Sequence, residues 1–345
     1  MRTQCRRCLM DKSAKEIVFT KTGCNFCDQA VKTLRENELE KHKLLDILDL
    51  IKKQRGEYDC IIGLSGGVDS SRVLHEAIKF GLKPLAFSVD NGWQDAKADE
   101  NIMRMVEKLR VPFYRYVLDI NKFRDLQAAF IKAGVPNIEI PTDHVLMAVS
   151  LELANKYGVK WILSGGNGST ESIMPESWGY NARDLTHIED IYTKMTGKRL
   201  TGLPVCGLFK WNYYRWFKRI KTFYLLDYME YNRAESIVLL EKEYGYKSYG
   251  AKHEESVFTK WFQNYYLYEK FSIDKRKAHL SSLICSGQMT RKEALMELGE
   301  RPVYPRIGLE TKVMQYPKRS HEDYKKDPWF DRISLVIRTT RKWLY

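Results

Sequence analysis

Long hydrophobic runs are missing from this sequence of 345 residues. No stretch approaches the ~20 apolar residues that a helix needs to cross a bilayer, and the start, MRTQCRRCLMDKSAK, lacks the apolar core of a secretory signal. We therefore expect no membrane span and a cytoplasmic location. Proline (10) and glycine (21) are scarce, which excludes collagen-like and low-complexity chains. With 44% hydrophobic residues, the composition indicates a globular protein of about two domains.

Acidic residues are in the minority. The sequence has 44 Asp and Glu against 57 Lys and Arg, a formal net charge of +13. A strongly basic protein favours anionic partners, and nucleotides, sugar nucleotides, RNA and acidic proteins all fit that description. The charge by itself does not choose among them.

Short apolar runs alternate with helical patterns in the middle of the sequence, which is typical of a parallel sheet covered by helices on both faces. The predicted strands lie at 58–64, 84–90, 113–119 and 160–166, and the predicted helices at about 70–80, 98–110, 121–133 and 143–157. We predict an α/β domain over residues 57–205. A four-cysteine module with a linker helix precedes it over 1–56, and a mostly helical region follows over 206–345.

The most informative segment follows the first predicted strand and opens the next helix. Its residues are Ser65, Gly66, Gly67, Val68, Asp69, Ser70 and Ser71. The glycines allow an anion to approach closely, and the helix N-terminus offers N–H groups and a favourable dipole. The Gly-Lys-Ser/Thr ending of a Walker loop is absent. The segment resembles the SGGxDSS signature of the PP-loop ATP pyrophosphatases, which implies that it holds the pyrophosphate of ATP. The predicted binding residues are Ser65, Gly66, Gly67, Asp69, Ser70 and Ser71.

Two further polar loops follow strands of the same predicted sheet. Residues 88–93 (SVDNGW) end the second strand, and residues 163–171 (LSGGNGSTE) follow the fourth. Ligands of open parallel sheets bind at the carboxyl ends of the strands, so we expect these loops and the phosphate loop to form one crevice. We predict Asp90 as a ribose or adenine contact and Glu171 as a contact of Mg²⁺ or a substrate amine. Two glycines complete the predicted nucleotide site: Gly165 and Gly166. An acidic residue after a strand is also typical of a helix cap or a solvated turn, and this alternative stays open here.

Four of the seven cysteines form two Cys-x-x-Cys pairs: Cys5, Cys8, Cys24 and Cys27. Fifteen residues separate the pairs, a spacing typical of a four-thiolate zinc site. Four thiolates fill all tetrahedral positions, so we predict a structural zinc, with an iron–sulfur cluster as the alternative. For Cys60, Cys206 and Cys285 we predict packing in the core.

Segments in the later part of the sequence indicate one family among the proteins with this phosphate loop. Its informative segments are 252–256 (KHEES), 270–271 (KF), 274–284 (DKRKAHLSSLI) and 286–295 (SGQMTRKEAL). Together with the cysteine module, SVDNGW and SGGNGSTES, they closely resemble the N-acetyl sugar amidotransferase family, over about residues 3–300. The resemblance implies a Rossmann-like PP-loop fold of the adenine nucleotide alpha hydrolase type. It also implies an enzyme that converts the acetamido group of a nucleotide-linked sugar into an acetamidino group, for bacterial O-antigen or flagellin glycans.

The residue types suit the chemistry that this resemblance implies. An amide does not react with ammonia until its oxygen is activated, so ATP first adenylates the oxygen and releases pyrophosphate, and ammonia then displaces AMP. Mg²⁺ offsets the phosphate charge, and Lys252, Lys275 and Arg276 stabilise charge on the leaving group. His253 is the predicted proton acceptor. The full set of predicted catalytic residues is Asp69, Glu171, Lys252, His253, Lys275 and Arg276. A surface position is the alternative for each basic residue.

The sequence offers no convincing glutaminase nucleophile. Such enzymes use a cysteine at the mature amino terminus or on a sharp turn, and position 2 here is Arg. Cys206 has His253-x-Glu255 downstream, but Pro204 and Leu208 stand at the two positions where a nucleophile elbow has glycines. We therefore expect ammonia from a separate glutaminase with an ammonia-channelling synthase-like subunit, as the family resemblance also implies. Residues 209–232 form either the contact with that partner or a packed helix pair.

Two other functions stay open at this point. A PP-loop tRNA thiolase also combines a phosphate loop with Cys-x-x-Cys pairs and would explain the positive charge, but it needs a sulfur-carrying cysteine or cluster near ATP. A zinc-finger regulator that only senses ATP is the non-enzymatic alternative. Because the paired cysteines are assigned to metal and the phosphate loop has two companion loops, we predict the amidotransferase, with a sugar nucleotide rather than nucleic acid as its partner.

Overall fold

A five-stranded sheet forms the centre of the computed structural model, which describes residues 3–248, 252 and 254–329. Its strands are β1 (Cys60–Gly63), β2 (Pro84–Asp90), β3 (Phe113–Val117), β4 (Trp161–Leu163) and β5 (Lys221–Phe223). All neighbouring strands run parallel, in the order β3-β2-β1-β4-β5. The predicted α/β fold with a parallel sheet is confirmed.

The strand order reverses between β1 and β4, which lie side by side. β2 and β3 extend the sheet on one side of this point, and β5 extends it on the other. The loops that follow two such strands lead to opposite faces of a doubly wound sheet and leave a crevice where ligands bind. Here those loops are the two glycine-rich segments of the sequence.

Helices cover both faces of the sheet. Those of the first half and the middle of the chain are α1 (Asn25–Glu40), α2 (Leu44–Lys52), α3 (Val68–Lys79), α4 (Ala96–Leu109), α5 (Ile120–Ala133), α6 (Ile140–Lys156), α7 (Gly168–Glu171), α8 (Leu185–Thr196) and α9 (Leu208–Asn212). Alternate residues of β1 enter different core clusters: Ile61 packs with side chains of α5 and α6, and Ile62 with side chains of α3 and α4. The sheet is therefore buried on both sides, as its nearly continuous apolar strands require.

After β5 the chain is mainly helical. The helices are α10 (Arg233–Tyr244), α11 (Val257–Trp261), α12 (Arg276–Cys285), α13 (Arg291–Leu298) and α14 (Glu310–Gln315). A π-helical segment, Phe262–Lys270, continues α11. In the stretch 209–232, where we expect a helix pair, the chain forms α9, a π-helical turn over Tyr213–Phe217, and then β5. Three residues are too few to show the period-two pattern of a strand, so the pairing of β5 with β4 follows from tertiary contacts.

The aromatic residues of that stretch divide between core and surface. Trp211 and Tyr214 are buried, whereas Phe209, Trp216 and Phe217 are exposed. The buried rings anchor α9 to the domain, and contact of the exposed rings with a partner stays a prediction. Within the ranges that the structure describes, no helix is both long enough and apolar enough to cross a membrane.

The cysteine module packs against the C-terminal helices. The backbone N–H of Leu9 donates to Ser281 Oγ on α12 at 2.9 Å, and the Arg291 side chain on α13 donates to the carbonyls of Cys5 and Cys8. α7, which follows β4, packs against both α1 and α12. Segments from the two ends of the sequence thus enclose α7 and fix its position beside the crevice.

Candidate active site

The phosphate loop makes a tight turn between β1 and α3. Gly66 has a φ of +81°, in the left-handed region, and a Cβ on it would lie 2.3 Å from the carbonyl oxygen of Ala98. The N–H of Gly67, the N-cap residue of α3, donates to Ser65 Oγ at 3.1 Å. The loop therefore requires glycine at position 66 and leaves the first turn of α3 open to the crevice, where N–H groups can bind an anion.

The second glycine-rich loop packs directly against the first. A Cβ on Gly165 would lie 2.9 Å from the backbone nitrogen of Ser70, so the loops approach this closely because Gly165 has no side chain. Asn167 then caps α7 by accepting the N–H of Thr170 at 2.9 Å. The cap fixes the short helix that carries Glu171.

A pocket of about 200 Å³, here the central pocket, lies between the two loops. Its lining residues are Ser65, Gly67, Val68, Asp69, Ser70, Gly165, Gly166, Glu171, Arg233, Lys252 and Glu255. Most of the residues predicted to bind ATP or act in catalysis are in this set. Gly66 shapes the loop, and Ser71 is buried in α3 behind it.

Lys252 forms the centre of an ionic cluster in the central pocket. Its Nζ lies 2.6 Å from Asp69 Oδ2 and 3.0 Å from Glu171 Oε1, and it also donates to Thr170 Oγ1. The hydroxyl of Tyr231 donates to the second oxygen of Asp69. One cation thus joins the carboxylates of both glycine-rich loops.

The charges of this cluster determine its protonation. Burial by itself lowers the pKa of Lys252, but the charges of Asp69 and Glu171 outweigh burial, so the pKa is raised and the ammonium stays charged. Burial and the adjacent Asp69 raise the pKa of Tyr231, so the phenol keeps its proton. Carboxylate oxygens are ligands that Mg²⁺ prefers. The carboxylates of Asp69 and Glu171 therefore fit a divalent cation such as Mg²⁺.

Arg233 lines the central pocket and was missed by the sequence analysis. Within the described residues its guanidinium forms no ion pair or hydrogen bond. It is the first residue of α10, directly after the Asn232 cap, and the packing of α10 against α3 brings it to the pocket. No motif marks such a position. A guanidinium without a partner beside a phosphate loop suits an anionic ligand.

A second pocket of about 290 Å³, here the strand-end pocket, adjoins the central pocket and shares Ser65 and Glu255 with it. Phe87, Val89 and Leu146 give it apolar walls. The two pockets together form one crevice along the ends of β1 and β2, which matches the predicted location.

Among the buried polar atoms of the strand-end pocket that have no hydrogen-bond partner in the described structure are Ser88 Oγ and Glu139 Oε1. Buried polar groups are normally paired, so these atoms indicate a polar ligand. Burial, and next the charge of Asp143, raises the pKa of Glu139 to about 8. This carboxyl is therefore largely protonated at neutral pH and can donate a hydrogen bond. Neither atom belongs to a motif that the sequence analysis recognised.

Asp90 lies at the end of β2 but lines neither pocket of the described structure. Its carboxylate accepts the N–H of Gly92 at 2.9 Å, while the next residue, Asn91, lines the strand-end pocket. The hydrogen bond to Gly92 matches the turn interpretation, which was the alternative for this residue. Contact with ribose or adenine stays a prediction.

Two predicted catalytic residues, Arg276 and Lys275, lie outside the central pocket. Arg276 forms a bidentate pair with Asp274, with distances of 3.0 Å from Nε to Oδ1 and 2.8 Å from Nη2 to Oδ2. The ammonium of Lys275 lies 5.8 Å from the ring centroid of Phe262, and burial lowers the pKa of this lysine. His253 lies outside the described residues. The catalytic roles of all three stay predictions.

The four paired cysteines lie together in the interior. Their sulfurs are within 4.8 Å of one another, and the separation is 3.8 Å for the pairs Cys5 and Cys27, Cys8 and Cys24, and Cys24 and Cys27. A tetrahedral ion with bonds of about 2.3 Å holds its sulfurs about 3.8 Å apart. The cluster therefore fits a single metal ion such as zinc.

The other cysteines differ in their surroundings. Cys60 and Cys206 are fully buried, as we expect for core residues. Burial raises the pKa of the Cys206 thiol to about 11, so it lacks the character of an activated nucleophile. Cys285 is half-buried beside the four-cysteine cluster, with its sulfur 4.0 Å from the carbonyl oxygen of Cys27. Core packing describes Cys285 less well than the other two.

The fold and the central pocket define an α/β protein with a glycine-rich phosphate loop at the point where its strand order reverses. Residues 255–336 match the family model for the C-terminal domain of WbpG-like lipopolysaccharide biosynthesis proteins. The match begins at Glu255, which lines both pockets, and includes α11 to α14. The chain therefore carries a WbpG-like C-terminal domain. The family resemblance seen in the sequence is confirmed for this domain, over residues 255–336.

Other known proteins are similar over parts of the chain. An uncharacterized protein of Methanocaldococcus jannaschii is 29% identical over 168 residues, which are 47% of this chain and 58% of the relative. The chain thus spans less than two thirds of that relative's length. Among solved structures, NMN synthetase from Francisella tularensis is 16% identical over 53% of this chain and 95% of its own, with a TM-score of 0.32. The U34-tRNA thiolase from Methanococcus maripaludis is 15% identical over 94% of this chain and 100% of its own, with a TM-score of 0.38.

Proposed function

We propose that this protein is an ATP-dependent, AMP-forming amidotransferase that converts the acetamido group of a sugar nucleotide into an acetamidino group for bacterial surface glycans. One observation carries the proposal. The phosphate loop and the WbpG-like domain, through Glu255, line the same central pocket. A nucleotide held by the loop would therefore lie against a domain associated with lipopolysaccharide biosynthesis.

In this proposal ATP occupies both adjoining pockets. The apolar walls of the strand-end pocket suit a purine, and the protonated Glu139 and Ser88 offer hydrogen bonds to it. The pyrophosphate half lies at the N-terminus of α3, where Arg233 adds a positive charge. Asp69 and Glu171 bind the Mg²⁺ that accompanies the phosphates. Asp90 is kept as the proposed ribose contact.

Two displacement steps complete the reaction. The acetamido oxygen attacks the α-phosphorus, the bond from this phosphorus to the bridging oxygen breaks, and pyrophosphate leaves with the electron pair. Ammonia then attacks the imidate carbon, the carbon–oxygen bond breaks, and AMP leaves while a base, for which we propose His253, accepts a proton. Lys252 stabilises charge in the central pocket, and we assign the same role to Lys275 and Arg276.

The remaining parts of the chain support this chemistry. We propose zinc as the ion at the four cysteines, with a structural role because four thiolates leave no open position. We propose three regions: the zinc module (1–56), the ATP-binding domain (57–205) and the substrate and partner region (206–345). Strand β5 of the sheet belongs to the third region. Ammonia comes from a separate glutaminase subunit, since the buried Cys206 is not activated, and the reaction takes place in the cytoplasm.

Product analysis tests the reaction. With an acetamido sugar nucleotide, ATP, Mg²⁺ and ammonium, we expect AMP, pyrophosphate and a product in which NH replaces the acetamido oxygen, identified by mass spectrometry. Glutamine should not replace ammonium for the purified chain. Asp69→Asn should slow AMP formation about 100-fold or more, whereas Asp125→Asn, at an exposed position of α5, should not. Formation of ADP and phosphate would refute the proposal.

A PP-loop tRNA thiolase is the second candidate, and the position of Cys285 is the observation that favours it. Its side chain lines a groove of about 540 Å³ that also contains Tyr231, the hydrogen-bond partner of Asp69. Cys285→Ser separates the two functions. An amidotransferase keeps its activity in this variant, whereas a thiolase that uses this sulfur loses sulfur transfer to tRNA.

A further inference from the structure

A small recess beside Lys252 is not needed for ATP in the proposed arrangement. This side recess has a volume of about 60 Å³ and shares Lys252 and Arg233 with the central pocket. Its wall comes mostly from the WbpG-like domain, with Gln263, Asn264, Arg276, His279, Leu280, Leu283 and Glu297. A space of this size holds a few heavy atoms and is far smaller than pockets that enclose whole ligands.

The charges around the side recess are largely compensated by ion pairs. These pairs are Lys252 with Asp69 and Glu171, Arg276 with Asp274, and Glu254 with Lys260. Glu297 is exposed to solvent. Arg233 has no ion pair within the described residues, but it also lines the central pocket, where the phosphates of the proposed nucleotide would compensate its charge. A charged group would gain little from compensated neighbours and would lose its hydration. The side recess therefore favours a neutral ligand group.

Gln263 is an uncharged polar side chain of the side recess, and its amide has no hydrogen-bond partner within the described residues. The residue is 8% exposed. It lies in the first turn of the π-helical segment, beside Asn264, whose amide donates to Glu254 and to the carbonyl of Val303. The amide atoms of Gln263 are not among the fully buried side-chain atoms without a partner, so a ligand group that enters the side recess can reach them and form a hydrogen bond.

We propose that the side recess binds the acetamido group of the acceptor, with its N–H donating to the side-chain carbonyl of Gln263 and its methyl against Leu280 and Leu283. This inference rests on the proposed function. Donation of the N–H increases the electron density on the acetamido oxygen, the atom that attacks ATP. It also leaves that oxygen free on the side of Lys252 and the central pocket. Gln263 thus distinguishes an acetamido group from a hydroxyl and orients it.

Equilibrium binding to two nucleotides tests this inference. UDP-N-acetylglucosamine carries an acetamido group where UDP-glucose carries a hydroxyl. We expect the wild-type protein to bind the former about tenfold more tightly, the factor typical of one well-made contact. In Gln263→Met, which keeps the side-chain volume but not the hydrogen bond, the preference should fall to about twofold or less while ATP affinity is unchanged. Gln315→Met, at an exposed position of α14, is the matched control and should keep the preference.

A second variant keeps the inference testable if Gln263→Met does not fold. Leu283→Phe fills the space for the methyl and should also remove the preference, and thermal unfolding identifies variants that are not folded. Equal binding of both nucleotides by the wild type, or an unchanged preference in Gln263→Met, would overturn the inference. Failure of the proposed function would be seen separately, as an absence of AMP formation from ATP with the acetamido preference intact.

Discussion

Lys252 compensates two carboxylates that belong to different loops, Asp69 after β1 and Glu171 on α7. Its side chain is 9% exposed, so water cannot replace it effectively as the partner of these anions. Removal of one member of a buried ionic cluster leaves charges without compensation, which typically costs about 3–5 kcal/mol. The same ammonium lies in the pocket where phosphate charge would develop during adenylation. We therefore expect Lys252 to contribute to both stability and chemistry.

We expect Lys252→Met to lower the free energy of unfolding by about 3 kcal/mol and to slow AMP formation about 100-fold or more. Urea unfolding and product analysis measure the two effects. Lys97→Met is the matched control, because Lys97 is exposed on α4, and it should change neither quantity. A Lys252→Met variant that forms AMP at the wild-type rate would remove this residue from the mechanism.

Individual residues differ in how well the sequence predicts them. Ser65 and Gly66 belong to a contiguous motif whose local backbone geometry forms the phosphate loop. The motif alone is therefore sufficient to predict where these two residues lie. Arg233, Glu139 and Gln263 come to the site through the packing of α10, α6 and the π-helical segment. Nothing in the neighbouring sequence distinguishes them from ordinary surface or core residues. Their importance follows from missing hydrogen-bond partners, which only the tertiary structure reveals.

The same division applies to secondary-structure elements. The four predicted strands are present, although β1, β3 and β4 are shorter than the predicted segments 58–64, 113–119 and 160–166. β5 has three residues, and its place at the sheet edge depends on pairing with β4. The π-helical segment after α11 also has no local signature, since its sequence fits an ordinary helix. Long periodic elements are therefore predictable, while short elements depend on their neighbours.

A pair of histidines fixes the segment after α14 to α8. The backbone N–H of Asn137 donates to His321 Nε2 at 3.2 Å, and His321 Nδ1 lies 3.0 Å from His187 Nε2. His187 Nδ1 lies 3.1 Å from the carbonyl oxygen of Lys325. This hydrogen-bond chain is complete when each ring carries one proton, on Nδ1. A second proton on His187 would place two ring N–H groups opposite each other. A second proton on His321 would face the N–H of Asn137.

We expect this contact to weaken in acid. Burial, then the neighbouring His187 and Lys326, lowers the pKa of His321 to about 3, and burial lowers the pKa of His187, against about 6.5 in an unfolded chain. The unfolded state therefore binds protons first as the pH falls. The contribution of the pair is complete above about pH 7 and decreases towards pH 3, by up to about 1.4 kcal/mol per pH unit for each histidine.

Urea unfolding at pH 7, 6 and 5 measures this effect. His321→Asn should give a flatter dependence of stability on pH than the wild type, because one buried titrating ring is removed. His42→Asn, at an exposed position near α1, is the control and should retain the wild-type dependence. Equal pH dependence in His321→Asn and the wild type would show that the histidine pair does not contribute.

At the scale of the whole molecule, the three proposed regions meet at α7. The cysteine module contacts it through α1, the sheet positions it after β4, and the WbpG-like domain contacts it through α12. Spacing alone predicts that four cysteines hold a metal, but it cannot predict where the module docks. The hydrogen bonds from Leu9 and Arg291 show that it docks on α12 and α13. A metal ion held by the four cysteines would thereby be linked to the position of Glu171 in the central pocket.

Loss of the metal should therefore affect the site as well as the fold. We expect wild-type protein to contain about one zinc per chain and Cys24→Ser to lose most of it, since a tetrahedral site needs all four thiolates. The thermal midpoint should fall and AMP formation should decrease, because α7 loses the support of α1. Cys285→Ser is the matched control: its sulfur lies beside the cluster but is not one of the four, so zinc and activity should remain. Metal analysis that finds iron with labile sulfide, or a full zinc equivalent in Cys24→Ser, would contradict the assignment.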